Sequence, residues 1–132
     1  MGIAQSATAL PLQALVLSAF NAFARESHHI YGKINRMRPS EAFAQHRDII
    51  RQIVLESGMT NPRLFGSALH GDDIEGSDLD ILIDAPPRTS LFDVINLKLA
   101  LEDEVGITID LRTPGDLHPK FRDHVVAEAS PV

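Results

Sequence analysis

The sequence predicts a small α/β domain: a mixed β-sheet flanked by helices. Three observations lead there. Leu79–Ile83 and Ile107–Leu111 alternate apolar and polar residues with the period of a strand. Two longer stretches, from near 41 up to Gly58 and from 91 to about 104, carry apolar residues at helical spacing, and a glycine stops each. The two alternating stretches are separated by a helix-length connection, long enough for a parallel crossover. A chain of 132 residues suits one domain that buries a real core, with little room for a second.

The elements follow in order. Ser40 is placed to cap a helix starting near Glu41, with Phe43, Ile49, Ile50, Ile53 and Val54 as its apolar stripe. Gly58 ends it. Asn61-Pro62 is expected to turn the chain into a strand at Arg63–Phe65. A short helix can begin at Gly66-Ser67, and a second strand carries Leu79, Ile81 and Ile83. Ala85-Pro86-Pro87-Arg88 reads as a rigid exposed loop. Ser90 and Asp93 form a capping-box variant for a helix with Leu91, Val94, Ile95, Leu97, Leu99, Leu101 and Val105 as apolar positions, stopped by Gly106. Ile107–Leu111 is the next strand. A last helix, Pro119–Ala129, is expected to turn Phe121, Val125 and Val126 inward.

Residues 1–36 read as a separate extension, helical or disordered, ahead of a domain over 37–132. Ala9–Ala24 is apolar but broken by Pro11, Gln13 and Asn21, too short and interrupted to span a bilayer. It ends Ala22-Phe23-Ala24, like a signal-peptide cleavage site, but no Lys or Arg precedes it, so export is not expected. The two readings retained are an accessory helix and a natural start at Met37. A cytoplasmic location is expected. The net charge of −6 argues against binding nucleic acid through a basic patch. With no cysteine, disulfides and thiolate metal sites are excluded.

Chemistry concentrates in FGSALHGDDIEGSDLDIL, residues 65–82. Asp78 and Asp80, two apart on a strand, point to one face about 6–7 Å apart. Two carboxylates that close need a cation or a retained proton. Hard Mg²⁺ takes oxygen ligands of this kind, commonly with substrate phosphates. Backbone N–H groups and the hydroxyl at Gly66-Ser67 can hold phosphate oxygens. If the strands run parallel, Asp110 comes level with Asp80 on the neighbouring strand, about 5 Å away. Arg47, Arg51, Lys98, His118, His124 and the pair His28-His29 read as solvated or boundary residues.

Gly66-Ser67, ten intervening residues, Asp78-Leu79-Asp80 and a later Asp110 resemble the signature of the DNA polymerase beta-like nucleotidyltransferases, more narrowly the minimal nucleotidyltransferases. Gly71 and Ser77 also match. His70 departs from the pattern, standing where the family carries Arg, and a mostly neutral imidazole holds phosphate less well. The resemblance spans about Met37 to Pro131. It implies the nucleotidyltransferase fold and an NTP donor, ATP above others. It implies two Mg²⁺ ions held by Asp78, Asp80 and Asp110, with Gly66, Ser67, His70, Gly71 and Ser77 around the nucleotide. It implies transfer of NMP to a hydroxyl, with Asp110 the candidate to accept the proton. Proteins of this size in the family are often antitoxins that adenylylate a tyrosine of a HEPN-domain toxin, and such a toxin is the partner expected. The alternatives are an antitoxin that binds without chemistry and an aminoglycoside-type adenylyltransferase.

Overall fold

The computed structural model describes residues 37–132, so the extension over 1–36 lies outside the described residues. Helix α1 (Pro39–Glu56) leads to strand β1 (Thr60–Phe65), a short helix α2 (Gly66–His70) and strand β2 (Leu79–Asp84). Helix α3 (Leu91–Val105) connects to β3 (Ile109–Arg112). A 3₁₀ turn at Pro114–Asp116, helix α4 (Pro119–Glu128) and a two-residue strand β4 (Ser130–Pro131) complete the chain.

The sheet has the order β3-β2-β1-β4. β1 is antiparallel to both neighbours, and β3 is parallel to β2. This is the mixed sheet with flanking helices that the sequence predicts. Period-two alternation sorts β2 onto two faces. Leu79, Ile81 and Ile83 enter the main core with Ile50 and Val54 of α1 and Leu97, Leu101 and Val105 of α3. Leu82 faces the other way and joins Phe65 and Leu117 in a smaller cluster, lined by Val125 and Ala129. Asp80 lies on that second, thinly covered face.

The helix ends obey local rules. Ser90 Oγ accepts from the Asp93 N–H at 3.1 Å, and Asp93 accepts from the Ser90 N–H at 2.9 Å. Gly106, at φ +85°, closes α3 in the left-handed conformation that glycine adopts without strain.

Several expectations are corrected. α1 starts at Pro39 rather than near Glu41, because proline is favoured in a first helical turn, where its missing N–H costs nothing. Ser40 is therefore inside the helix and does not cap it. Asn61-Pro62 lies within β1, where a register shift between Thr60 and Arg63 and a φ of +53° at Asn61 absorb the bend. The third strand begins at Ile109, two residues later than expected. Leu91, Ile95 and Leu99 are exposed on α3, because the buried line runs through Leu97, Leu101 and Val105. In α4, Val125 packs inward, whereas Phe121 and Val126 are exposed. Among the described residues, no helix is long and apolar enough to cross a membrane.

Candidate active site

The site forms where β1 ends, α2 begins and β2 and β3 start. The parallel register sets Asp80 opposite Asp110, and the antiparallel register sets Phe65 opposite Asp80. Gly66 follows directly at φ +72°. A Cβ there would overlap Asp80 Oδ2 and lie 2.8 Å from its Cγ. Glycine is thus required twice over, for its backbone conformation and for the close approach of the Asp80 carboxylate.

Asp80 is only partly exposed, and its carboxyl is pushed up to about 6. Burial is the leading cause, followed by the charge of Asp110, a hydrogen bond with Asp110 and the charge of Asp78. The Ser67 N–H donates to Asp80 and opposes the rise. Asp110 Oδ1 accepts from Arg112 Nε at 3.0 Å, and that carboxylate holds the guanidinium above its ordinary range. Asp78 lies one residue before β2 and is exposed. Among the described residues, no three His, Asp or Glu side chains stand together as a set that could hold a metal ion. The donor chemistry nevertheless fits a hard dication. It is all oxygen, and burial together with the neighbouring charges of Asp110 and Asp78 raises the Asp80 carboxyl to about 6, a cost that a bound cation would relieve.

The remaining predicted residues sit on the loop leading to β2 and beside it. Gly71, at φ +76°, ends α2. Ser77 closes a turn with Ile74: its N–H donates to the Ile74 carbonyl at 3.0 Å, and its Oγ accepts from the Ile74 N–H at 3.2 Å. His70 Nε2 lies 3.1 Å from Glu128 Oε2 of α4, which also meets His124 Nε2 at 3.3 Å. His70 is thus engaged with a carboxylate of the last helix.

Several of the basic residues set aside in the sequence find partners within the domain, while His28-His29 lie outside the described residues. Lys98 pairs with Glu102 at 2.7 Å, Arg51 with Asp48 at 3.3 Å, and Arg47 donates to the Pro131 carbonyl at 2.9 Å. His118 Nδ1 accepts from the Lys120 N–H at the start of α4. Sequence reasoning missed Arg112, whose only signal is its place two residues after Asp110 on the same strand. It also missed Asp73, which is 4% exposed although it lies in the loop between α2 and β2.

Comparison with known proteins gives this geometry its family. The family model described as "Nucleotidyltransferase domain" matches residues 44–131. A curated relative from Methanocaldococcus jannaschii, named "Putative protein adenylyltransferase MJ0435", is 35% identical over 77 residues, which is 58% of this chain and 83% of the relative. A solved "putative minimal nucleotidyltransferase" superposes with a TM-score of 0.64 at 33% identity, covering 70% of this chain and 95% of that one. A crystal structure of a toxin–antitoxin with AMP-PNP shares the fold, with a TM-score of 0.56 at 20% identity over 64% of this chain and 69% of that one. On the matched span and the geometry together, the chain belongs to the nucleotidyltransferase domain family.

Proposed function

We propose that the chain transfers the nucleoside monophosphate of an NTP, with ATP the expected donor, to a hydroxyl on a partner protein. The acceptor we propose is a tyrosine of a HEPN-type toxin, which the chain silences as its antitoxin. The observation that carries nucleotidyl transfer is the level pairing of Asp80 with Asp110 against Gly66 at the head of α2. A protein acceptor is supported by the name of the M. jannaschii relative. The antitoxin setting is supported by the fold shared with a toxin–antitoxin crystallised with AMP-PNP.

Asp78, Asp80 and Asp110 are the residues that would hold Mg²⁺, as two ions. Bound there, magnesium would supply Lewis-acid polarisation of the α-phosphate and charge neutralisation for pyrophosphate. The chain's own part is positioning. Asp110 accepts the proton of the attacking hydroxyl, and Arg112 fixes that carboxylate through Oδ1. The Gly66 N–H and the Ser67 hydroxyl orient the β- and γ-phosphates, while the Ser67 N–H donates to Asp80. Gly71 and Ser77 shape the loop around them, and His70 lies at its edge.

Incubation with α-labelled ATP, Mg²⁺ and the product of the adjacent gene tests this reading. Label on the partner is the expected result. A complex that forms without label points instead to a binding module. Label only on an added aminoglycoside points to a small-molecule enzyme.

A further inference from the structure

Asp73 is one of the few buried charged residues among those described, and neither metal binding nor transfer uses it. Its Oδ2 accepts from the Ser40 N–H at 2.7 Å across 33 residues of sequence. Its Oδ1 is buried without a partner.

Ser40 is the second residue of α1. In the first turn, Pro39 has no N–H, and the N–H groups of Glu41 and Ala42 donate to the Arg38 carbonyl at 3.0 and 3.1 Å. The Ser40 N–H is the donor left over, and Asp73 supplies the missing cap from another element. The positive end of the helix and the Arg38 charge favour a carboxylate there. Burial alone would raise its pKa. Hydrogen bonds from Ser40, one within Asp73 itself and the charge of Arg38 outweigh that and hold it below the usual carboxylate range.

The loop around Asp73 joins the two halves of the candidate active site. It starts where the Asp72 N–H donates to the Ser67 carbonyl at 3.0 Å and ends in the Ile74–Ser77 turn, directly before Asp78. Gly71 and Gly76 both take positive φ, so the loop bends sharply on each side of its anchor. The anchoring helix is itself fixed in the main core through Ala42, Phe43, Ile50 and Val54.

We propose that Asp73 is a positioning residue, whose buried carboxylate ties the 71–77 loop to the first turn of α1 and so sets the reach between the Gly66-Ser67 turn and the Asp78–Asp80 pair. This rests on the nucleotidyl-transfer reading for its function, although the tether can be tested apart from it.

Asp73→Ala, checked as folded by circular dichroism, is compared with wild type by amide hydrogen exchange and by calorimetric titration with Mg·ATP. The expected result is exchange at 74–78 faster by about tenfold, with β3 and the interior of α3 unchanged, and Mg·ATP affinity weaker by about tenfold. Asp73→Asn keeps an acceptor oxygen and recovers most of both. Wild-type loop exchange and affinity in Asp73→Ala would overturn the proposal. If that variant does not fold, exchange in the wild-type chain decides. The Ser40 amide and the 74–78 amides should then open together, and independent opening overturns the tether. A wild-type chain that does not bind Mg·ATP counts against nucleotidyl transfer, while the exchange result still decides the tether.

Discussion

Replacing Asp80 with Asn should destroy the activity and stabilise the metal-free protein. In the folded chain the Asp80 carboxyl is raised from 3.8 to about 6. The sign follows from linkage. Below pH 3.8 both folded and unfolded states hold the proton, so the shift has no effect. Between 3.8 and about 6 the unfolded chain gives it up first, so stability falls as pH rises. Above that window the deficit is complete. Each unit corresponds to about 1.4 kcal/mol, which sets a ceiling of about 3 kcal/mol. Asp80 is not fully buried, and solvent screening reduces this to on the order of 1–2 kcal/mol. For a domain of this size that is a Tm rise of roughly 5–10 °C for Asp80→Asn in EDTA at pH 7.5. Millimolar Mg²⁺ should raise the Tm of the wild type and leave that of the variant nearly unchanged, while transfer falls by about a thousandfold or more. Thermal unfolding with EDTA or Mg²⁺, from pH 4 to 8, reads all of this. A lower Tm for Asp80→Asn in EDTA, or a wild-type Tm that does not decline between pH 4 and 6, would refute the raised Asp80 carboxyl and the burial and neighbouring charge that cause it.

Other outcomes follow from the same geometry. Gly66→Ala forces a Cβ into Asp80 at a positive φ and should cost about 2–4 kcal/mol of stability, with loss of Mg·ATP binding, read by urea unfolding and calorimetry. Asp84→Ala removes the carboxylate that meets Arg63 Nη2 at 3.1 Å and leaves a buried guanidinium without its ion pair, at a cost of about 1–3 kcal/mol in the same unfolding assay. Because Arg63 and Asn61 hold the Asp84 carboxyl below its ordinary range, that pair's stabilisation is present at neutral pH and is lost as pH falls below about 4. His70→Arg places a permanent cation on the short helix that begins at Gly66-Ser67 and, on the proposed function, should tighten Mg·ATP binding several-fold. Unchanged or weaker binding in a calorimetric titration would remove His70 from the nucleotide's surroundings.

Much of this was legible in the sequence because it is written in local periods. Alternation placed Leu79, Ile81 and Ile83 on one face and Asp80 on the other, and a helix-length link made the parallel step to Asp110 the natural one. Ser90, Asp93 and Gly106 are short-range signals and fell where expected. What was not legible depends on contacts between distant residues. Asp73 looked like one more acid in a polar loop, since nothing nearby reveals that Ser40 would present an unpaired N–H 33 residues away. Ser40 has the residue type of a cap, but Pro39 takes the first helical position and puts Ser40 inside the helix. Arg63 would be an unusual residue for a buried strand without Asp84 and the Asn61 carbonyl to receive it. Phe121 and Val126 followed an apolar helical pattern, but α4 presents Val125 to the small second cluster and leaves those two in solvent.

The proposed function requires Asp78, Asp80 and Asp110 to converge on divalent metal beside a bound nucleoside triphosphate. Anomalous scattering from crystals grown with Mn²⁺ and a non-hydrolysable ATP analogue tests it most directly. Manganese peaks within coordination distance of Asp80, with Asp78 and Asp110 completing the shell and the triphosphate at the start of α2, are the predicted result. A nucleotide bound without metal at these carboxylates, or metal only elsewhere on the molecule, would contradict it.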